Sequence, residues 1–449
     1  MSRQTADKWG GTMFQSKLSR RLSVAVVAFS AVVPLAASSS YASTKTHAKP
    51  HASYPINIGI VYPFSGASGF IGAHVDAQVF SAVDEINKDG GVLGHKITVK
   101  AVDTKGDPAD ALTVVAQYVA TTKHIFFIQG PGSDSGPELV PVINSDHIVM
   151  MSAAGQSEFD KNKRTYFWRA VAPDAANGIA MAIFAKRNKW TRVATVFGSD
   201  QGSQGDLPGI VEGIKSLGLK QVSVLNISPD QPSYQSEVAA LLATKPQVIF
   251  TETDPTTAAT FFGELTQQHS AVLPIVSTQG GVIQTYMTPF RAAVGASLFA
   301  KEFYAISNAA GKPNPSTPVF QKSLLATGPA GQVADPAKFL SSPNTAIGYA
   351  QVILTALAAT AAHSVSGPVF NRYIASIANP GKGKKIVYTY ASGVRALAQH
   401  KNIQYIGPAG AYSFNKFHNS YGGQVAEGVT VGGTYVVKAV ISSKEIQSH

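Results

Sequence analysis

The chain has 449 residues, of which 45% are hydrophobic and 14% are charged, and its formal net charge is +11. This length predicts roughly two or three domains, and the composition excludes a disordered, collagen-like or coiled-coil chain. Cysteine is absent, which excludes disulfides, thiolate metal sites, cysteine nucleophiles and a lipid-modified N-terminal cysteine.

Residues 1–42 have the pattern of an export signal. Arg20 and Arg21 precede an apolar run over residues 22–35, and residues 40–42 fit a small-x-small cleavage site. The alternative is an uncleaved membrane anchor, but the run is interrupted and is short for a span of roughly 20 residues. We therefore predict a periplasmic or secreted protein that has lost this segment by cleavage.

Residues 43–53 have the composition of a flexible linker. His47 and His51 stand at helical spacing within it, but Pro50 lies between them and no third ligand follows, so we predict no metal site. Residues 1–42 hold five basic side chains and one acidic one, which leaves a net charge of +7 on the rest of the chain. That charge is only mildly basic, and we predict no nucleic-acid partner.

From Tyr54 onward, short β-rich runs alternate with amphipathic helical stretches. Strands are predicted in a first series, 56–62, 97–102, 125–129 and 148–151, and in a second series, 193–197, 222–225, 248–251 and 275–277. Helices are predicted between them, for example over 72–88 and 108–121, where apolar residues repeat at helical spacing. The pattern predicts an α/β fold with two similar lobes, each a largely parallel sheet flanked by helices.

Three loops after the strands of the first series are rich in small and polar residues. They cover residues 63–72, 130–137 and 151–155, and the first two lead into helices. In open α/β sheets, ligands bind beyond the carboxyl ends of the strands. Free amides and hydroxyls at such ends favour a small polar ligand, so we predict a binding site there.

Two enzyme-like patterns in these loops are weak. Gly66, Gly69 and Gly72 follow each other at steps of three and miss the dinucleotide fingerprint, so we predict no nucleotide cofactor. Residues 134–137 are similar to the surroundings of a nucleophilic serine, but no histidine has the spacing of its base. We predict a binding protein that is not an enzyme. The alternative, an extracellular hydrolase, requires a base beside Ser135 or another loop serine.

Several segments together resemble the branched-chain amino acid type of periplasmic binding protein. The most specific is the helix-to-strand phrase Asn87-x-x-Gly90-Gly91-x-x-Gly94. Others follow in the same order along nearly the whole mature chain: Ile58-Gly59-Ile60, Pro63-x-Ser65-Gly66, Asp107-Pro108, Gly130-Pro131, Phe167-Trp168-Arg169, Glu212-Gly213 and Tyr412-Ser413-Phe414-Asn415.

The resemblance implies the type 1 periplasmic binding fold, in which a three-strand hinge joins two lobes that close on a small-molecule ligand. It places lobe 1 at 54–170 plus 304–420 and lobe 2 at 171–303 plus 421–449. It also implies a monomer that delivers its ligand to the permease of an ABC importer. A sensor that reports ligand occupancy to a signalling partner is the alternative. The segment 309–340 stands out as an elaborated surface segment without an assigned role.

The resemblance also implies ligand positions, several of which have changed. Ser133, Asp134 and Ser135 correspond to the loop that holds a ligand carboxylate in relatives, with Ala153 and Gly155 at the next strand end. Asp134 adds a negative charge there. In lobe 2, Gln201 precedes Gly202, which replaces an aromatic residue. Gln279 stands where relatives place a carboxylate against the ligand ammonium, and an amide cannot neutralise that charge.

Other ligand candidates follow from the loops themselves. Ser65, Phe70 and Ile71 come from the first loop, and Phe70 and Ile71 are candidate apolar walls together with Phe197 and Tyr286. Thr253 and Asp254 follow a strand of the second series. Asp254 is expected to face a cationic or hydroxylated ligand, and the alternative for the acids here is that Glu252 caps the next helix. Carboxylates, amides, polyols and aromatic acids all remain open as ligands.

Overall fold

The computed structural model describes residues 54–269, 273–309 and 311–449. The predicted export signal at 1–42 and the linker at 43–53, with His47 and His51, lie outside the described residues. Over the described ranges, no helix combines the length and the apolar character needed to cross a bilayer.

The first sheet has five parallel strands in the order β2-β1-β3-β4-β5. The strands are β1 (Ile56–Tyr62), β2 (Ile97–Asp103), β3 (Ile125–Gln129), β4 (Met150–Ser152) and β5 (Phe167–Arg169). The predicted bounds of β1 and β3 are confirmed, and β4 begins two residues later than predicted. Strand β3 lies inside the sheet between β1 and β4, and its successive side chains Phe126, Phe127 and Ile128 are all buried, so both of its faces are covered, which explains its continuous apolar run.

The second sheet has seven strands in the order β15-β14-β10-β9-β8-β6-β7, and only the two pairings at one edge, β15 with β14 and β14 with β10, are antiparallel. The strands are β6 (Arg192–Gly198), β7 (Lys220–Ile227), β8 (Val248–Glu252), β9 (Ile275–Ser277), β10 (Phe303–Asn308), β14 (Gln424–Val429) and β15 (Tyr435–Ile441). A small third sheet contains β11 (Lys385–Val387), β12 (Ile403–Gly407) and β13 (Gly410–Ala411).

Helices cover the sheets, and the predicted bounds of the first two are confirmed. They are α1 (Gly72–Lys88), α2 (Pro108–Thr121), α3 (Gly136–Ser145), α4 (Asp174–Arg187), α5 (Gln201–Ser216), α6 (Gln235–Ala243), α7 (Pro255–Gln268), α8 (Gln284–Val294), α9 (Ala296–Glu302), α10 (Ser316–Thr327), α11 (Pro343–Ala361), α12 (Gly367–Phe370), α13 (Ile374–Ala378), α14 (Tyr390–Ala398) and α15 (Ser443–Ile446). Short 3-10 helices cover Gly69–Ile71, Ser157–Phe159, Gln279–Val282, Pro336–Phe339 and Asn371–Tyr373.

Local chemistry explains where these helices begin. Asp107 accepts hydrogen bonds from the amides of Ala109 and Asp110, and Pro108 occupies the first turn of α2. The apolar residues that repeat along α1 are buried. They pack against α11, which is itself buried over nearly its whole length.

The chain passes between the two sheets three times, as the predicted three-strand hinge requires. The three passages touch one another. The Ala172 amide donates to Asn308 Oδ1 at 3.2 Å, the Ala309 amide to the Gly423 carbonyl at 2.9 Å, and the Ser420 amide to the Arg169 carbonyl at 2.9 Å. These bonds join the crossing segments into one connection.

The sheets differ from the predicted division of the chain at one place. That division starts the second piece of lobe 1 at residue 304, whereas Tyr304 and Ala305 pair with Val276 and Ser277, so that β10 lies inside the second sheet. The strand therefore belongs with the second series, and the crossing follows Asn308. The physical reason is that pairing partners decide which sheet a strand joins, and an apolar run does not reveal them. The lobe boundaries otherwise stay a prediction.

The segment 309–340 is not a loose surface insertion in its described part. It forms α10 and the 3-10 helix Pro336–Phe339, and it buries Phe320, Leu324 and Phe339 against the core of the first sheet. Helix α10 packs on α1. The segment thus packs against α1, the helix that follows the first loop.

Candidate ligand-binding site

A cavity lies between the two sheets, beyond the carboxyl ends of their strands. Its volume is about 170 Å³. Tyr62 and Gln129 line it from the ends of β1 and β3, and Glu252 lines it from the end of β8. We call the lining residues up to 171 and those in α11 the first wall, and the lining residues from 200 to 283 the second wall. Ligands of open α/β sheets bind at such strand ends.

Most residues predicted to bind a ligand line this cavity. The first wall contains Phe70, Ile71, Ser133, Asp134 and Ala153. The second wall contains Gly202, Thr253, Asp254 and Gln279. Their contact with a ligand stays a prediction.

Ser65 and Ser135 were predicted as ligand residues and do not line the cavity. Ser65 is exposed, and its Oγ donates to Asp103 Oδ2 at 2.6 Å, which fastens the first loop to the end of β2. Ser135 is fully buried, and its Oγ donates to Asp134 Oδ2 at 3.2 Å. Both hydroxyls are thus used within the protein.

Gly155 and Gln201 also lie outside the cavity lining. The Gly155 carbonyl accepts from the Arg169 guanidinium at 2.9 Å, and a Cβ at this position would collide with Asp174. Gln201 Nε2 donates to Glu138 Oε2 at 3.0 Å and so connects α5 to α3 across the two sheets. Gly155 belongs to the connection between the sheets, and Gln201 belongs to the mouth of the cavity.

Asp134 places a carboxylate immediately before α3. Its Oδ2 accepts hydrogen bonds from Thr104 Oγ1 at 3.0 Å and from Ser135 Oγ at 3.2 Å. Burial raises the pKa of Asp134, and these hydrogen bonds oppose that rise. Burial also raises the pKa of the Tyr62 phenol, and the Asp134 charge adds to that effect.

Asp200 and Asp254 stand on the second wall as the N-caps of α5 and α7. Asp254 Oδ1 accepts from the amides of Thr256 and Thr257, both at 2.9 Å. Asp200 Oδ1 accepts from the Ser203 amide at 2.9 Å. The helix amides hold one oxygen of each carboxylate in place. The cap of α7 is therefore Asp254, and the alternative that gave this role to Glu252 is wrong.

Glu252, which is half-buried, forms a group of three carboxylic acids with the buried Asp174 and Asp206, and no sequence pattern predicted this group. Thr278 Oγ1 donates to Glu252, which lines the cavity, while Asp174 and Asp206 lie behind it. Burial, together with the charge of Glu252, raises the pKa of Asp174 to about 7, although Arg169 opposes the rise. Burial raises the pKa of Asp206 and of Glu252 as well. The only sequence signal was that Asp206 falls on the buried face of α5.

The first wall ends in a group of neutral polar side chains between α1 and α11. His74 is buried, neither of its ring nitrogens has a hydrogen-bond partner, and burial lowers its pKa to about 4. Gln129 Nε2 donates to Gln351 Oε1 at 2.5 Å, and Gln129 Oε1 has no partner. Gly348 leaves room for Gln78, because a Cβ there would collide with the Gln78 amide.

Apolar side chains line other parts of the cavity. On the first wall they include Phe70, Ile71 and Val75, and Ile283 faces them from the second wall. Phe197 and Tyr286, the other predicted wall residues, are buried in the core of the second sheet and do not line the cavity. Among the residues that the structure describes, no group of three or more His, Asp and Glu could hold a metal ion.

A sequence model of the periplasmic binding protein family matches residues 55–372. The Leu/Ile/Val-binding protein BraC3 of Rhizobium johnstonii is 27% identical over 208 residues, which are 45% of this chain and 55% of the relative. The Leu/Ile/Val-binding protein homolog 3 of Brucella melitensis is 25% identical over 203 residues, 43% of this chain and 53% of the relative. The chain thus spans about half the length of the curated relatives it matches.

Solved structures show the same fold. A leucine-binding protein from Thermotoga maritima superposes with a TM-score of 0.66 at 17% identity, covering 87% of this chain and 99% of that one. A solute-binding protein of an ABC transporter from R. palustris, in complex with benzoate, superposes with a TM-score of 0.66 at 15% identity, covering 86% and 96%. The expected fold, two largely parallel sheets flanked by helices and joined by three passages, is confirmed.

Proposed function

The chain belongs to the periplasmic binding protein family, and on that premise we propose that it is an exported solute-binding protein. It captures a small molecule in the cavity between its two walls and delivers it to the permease of an ABC importer. The protein acts as a monomer and not as an enzyme. The observation that carries the proposal is a cavity lined by strand ends of both sheets.

Two hydrogen bonds across the mouth support capture by closure. Thr285 Oγ1 in α8 donates to the Phe70 carbonyl at 3.1 Å, and Gln201 in α5 donates to Glu138 in α3 at 3.0 Å. Each bond joins an element of one sheet to an element of the other. Closure over a ligand is a recurrent movement of two-lobed proteins joined by short crossing segments.

The chemistry of the loop serines supports binding in preference to hydrolysis. Ser135 is buried and donates to Asp134, which is a carboxylate with hydrogen bonds of its own. Ser203 donates to Asp200, the cap of its own helix. A nucleophilic serine needs a base that takes its proton while the oxygen faces the substrate.

Calorimetric titration of the purified protein against amino acids, amines, organic acids and sugars tests the proposal. A ligand specific for the folded state raises the free energy of unfolding by about 2.7 kcal/mol at a hundredfold excess over its Kd. Gln279→Ala changes a residue of the second wall and weakens binding, whereas Ser65→Ala, outside the cavity, leaves Kd unchanged. Binding that ignores Gln279→Ala, or no binding by any compound of the panel, overturns the proposal.

Delivery to an importer is tested separately in the host cell. Deletion of the gene abolishes high-affinity uptake of the ligand found by calorimetry, and re-expression restores it. Uptake that is unchanged by the deletion contradicts the transport role and favours a sensor.

A further inference from the structure

The cavity is acidic although the chain as a whole is basic. Its lining residues include four carboxylates and neither lysine nor arginine: Asp134, Asp200, Glu252 and Asp254. The whole chain carries a net charge of +11. An anionic ligand would therefore lose its hydration without meeting a cation, and that is costly in a buried site.

A carboxylate of the chain itself, that of Asp134, lies beside the N-terminus of α3. The first turn of α3 begins at Gly136, directly after Asp134 and Ser135. The buried Asp134 carboxylate receives two hydroxyl hydrogen bonds there. A ligand carboxylate that approached this end of α3 would meet the charge of Asp134, which opposes its binding.

Two carboxylates of opposite walls, Asp134 and Asp200, lie close enough to interact. Gly202 separates Asp200 on the second wall from the backbone of Asp134 on the first wall. A Cβ on Gly202 would lie 3.2 Å from Asp200 Oδ1 and 3.8 Å from the Asp134 nitrogen. Burial raises the pKa of Asp134, and the charge of Asp200 adds to the rise. A positive charge bound between the walls removes this repulsion.

Asp254 on the second wall has a carboxylate oxygen that can pair with such a charge. Asp254 Oδ1 accepts both amide hydrogens of the first turn of α7. Its Oδ2 accepts none, so the cap leaves it for a ligand. The helix amides hold this carboxylate in place before a ligand arrives.

Two further residues of the cavity lining give independent evidence for a ligand group. His74 and Gln129 line the cavity and are only 3% and 2% exposed, respectively. Both ring nitrogens of His74 and the Oε1 atom of Gln129 lack partners. Buried polar atoms in folded proteins nearly always have partners, and a neutral ligand group such as a hydroxyl supplies them here.

We propose that the ligand is an amine without a carboxylate, and this proposal rests on the proposed function. Its ammonium group lies among Asp134, Asp200 and Asp254, its apolar middle contacts Phe70 and Ile283, and a neutral hydrogen-bonding group at its far end meets His74 and Gln129.

Matched pairs of amines and amino acids test the proposal by calorimetry. The pairs are tyramine with tyrosine, isopentylamine with leucine, and putrescine with ornithine. Each amine binds at least about tenfold more tightly than its amino acid, because the acidic cavity repels the carboxylate. Tyramine, with a hydroxyl at its far end, binds most tightly of the three amines.

Two variants connect this preference to the named residues. Asp134→Asn removes a charge near α3 and reduces the preference for tyramine over tyrosine, whereas Asp110→Asn, in an exposed ion pair with Lys105, leaves it unchanged. His74→Leu weakens tyramine but not isopentylamine, which has no polar far end. The melting temperature of each variant verifies that it is folded.

The possible failures are distinguishable. Amino acids or benzoate that bind more tightly than the amines overturn this inference and leave the proposed function in place. Equal loss of tyramine and isopentylamine in His74→Leu overturns the assignment of the far end. If no compound of the wider panel binds, the proposed function itself fails.

Discussion

The two walls of the cavity use their polar atoms in opposite ways. On the second wall, helix amides hold Asp200 and Asp254 in position. On the first wall, His74 and Gln129 carry buried polar atoms without partners. The second wall is therefore organised before any ligand arrives, whereas the first wall completes its hydrogen bonds only with one. We infer that charge on the second wall favours capture and that the first wall decides which molecule fits.

We expect the largest loss of stability from a substitution of Arg169, whose side chain bonds to segments of the connection between the sheets. Arg169 is fully buried and donates to the carbonyls of Gly155 and Gln156, to Asn419, and to Asp160. Arg169→Met leaves these acceptors unpaired, and we expect a loss of about 3–5 kcal/mol in the free energy of unfolding. Denaturant titration measures it.

An exposed arginine gives the matched control. Arg187 Nη2 lies 2.7 Å from both carboxylate oxygens of Glu445, and the Arg187 side chain is 41% exposed. Arg187→Met should cost about 1 kcal/mol or less. Equal losses in the free energy of unfolding would show that the buried hydrogen bonds of Arg169 stabilise the protein no more than an exposed ion pair does.

Behind the second wall, pH should act through Asp174. Burial, with the Glu252 charge, raises its pKa from 3.8 to about 7, so the folded state holds a proton that the unfolded state releases. Its contribution to stability is complete below pH 4 and is lost as pH rises to about 7, by up to about 4 kcal/mol. Asp174→Asn should remove this loss. Free energies of unfolding measured from pH 4 to 8 check this prediction. The same dependence on pH in the wild type and in Asp174→Asn would contradict it.

On the first wall, pH should act in the opposite direction. Burial lowers the pKa of His74 from 6.5 to about 4, so the unfolded state takes up a proton first. Stability from this group is complete above pH 6.5 and falls by up to about 3 kcal/mol as pH drops to 4. His74→Leu should flatten that part of the curve. The opposite signs of the two variants' effects sharpen the contrast between the walls, and effects of the same sign would remove it.

The smallest effect concerns the mouth, where the walls touch. Thr285→Val removes the hydrogen bond to the Phe70 carbonyl, and we expect ligand affinity to fall about fivefold, since one such bond contributes about 1 kcal/mol. Thr288→Val is the control, because its hydroxyl bonds only within α8. Calorimetry with the ligand measures both. An equal change in the two variants would show that the mouth contact does not stabilise the closed form.

The sequence predicted the elements well where local chemistry defines them. The bounds of α2 follow from Asp107 and Pro108, and those of β3 follow from a short apolar run before Gly130. Residues 304–308, which the predicted division placed in lobe 1, pair within the second sheet, and the sequence does not reveal this because sheet membership depends on distant partners. The cap at Asp254 did have a local signal, an aspartate directly before a proline that begins the helix.

The predicted site missed the residues whose meaning depends on packing. His74 lies on α1 among apolar residues, and a lone histidine there is more often part of the core than a ligand residue. Only α11, more than 250 residues further on, shows that the imidazole lines a cavity. Glu252 likewise gains its two acidic neighbours from α4 and α5. No local pattern contains that information.

The packing of α11 on α1 also bears on the order in which the chain folds during synthesis. Tyr349 on α11 donates to Glu85 on α1 across 264 positions in the sequence, and most of the second sheet is made between them. Strands β6 to β10 form one nearly continuous stretch, so their partners leave the ribosome close together. Part of the apolar surface of α1 stays uncovered until α10 and α11 emerge, and such exposed faces are where nascent chains aggregate. Helix α1, which is made early, therefore gains two of its packing partners only late in synthesis.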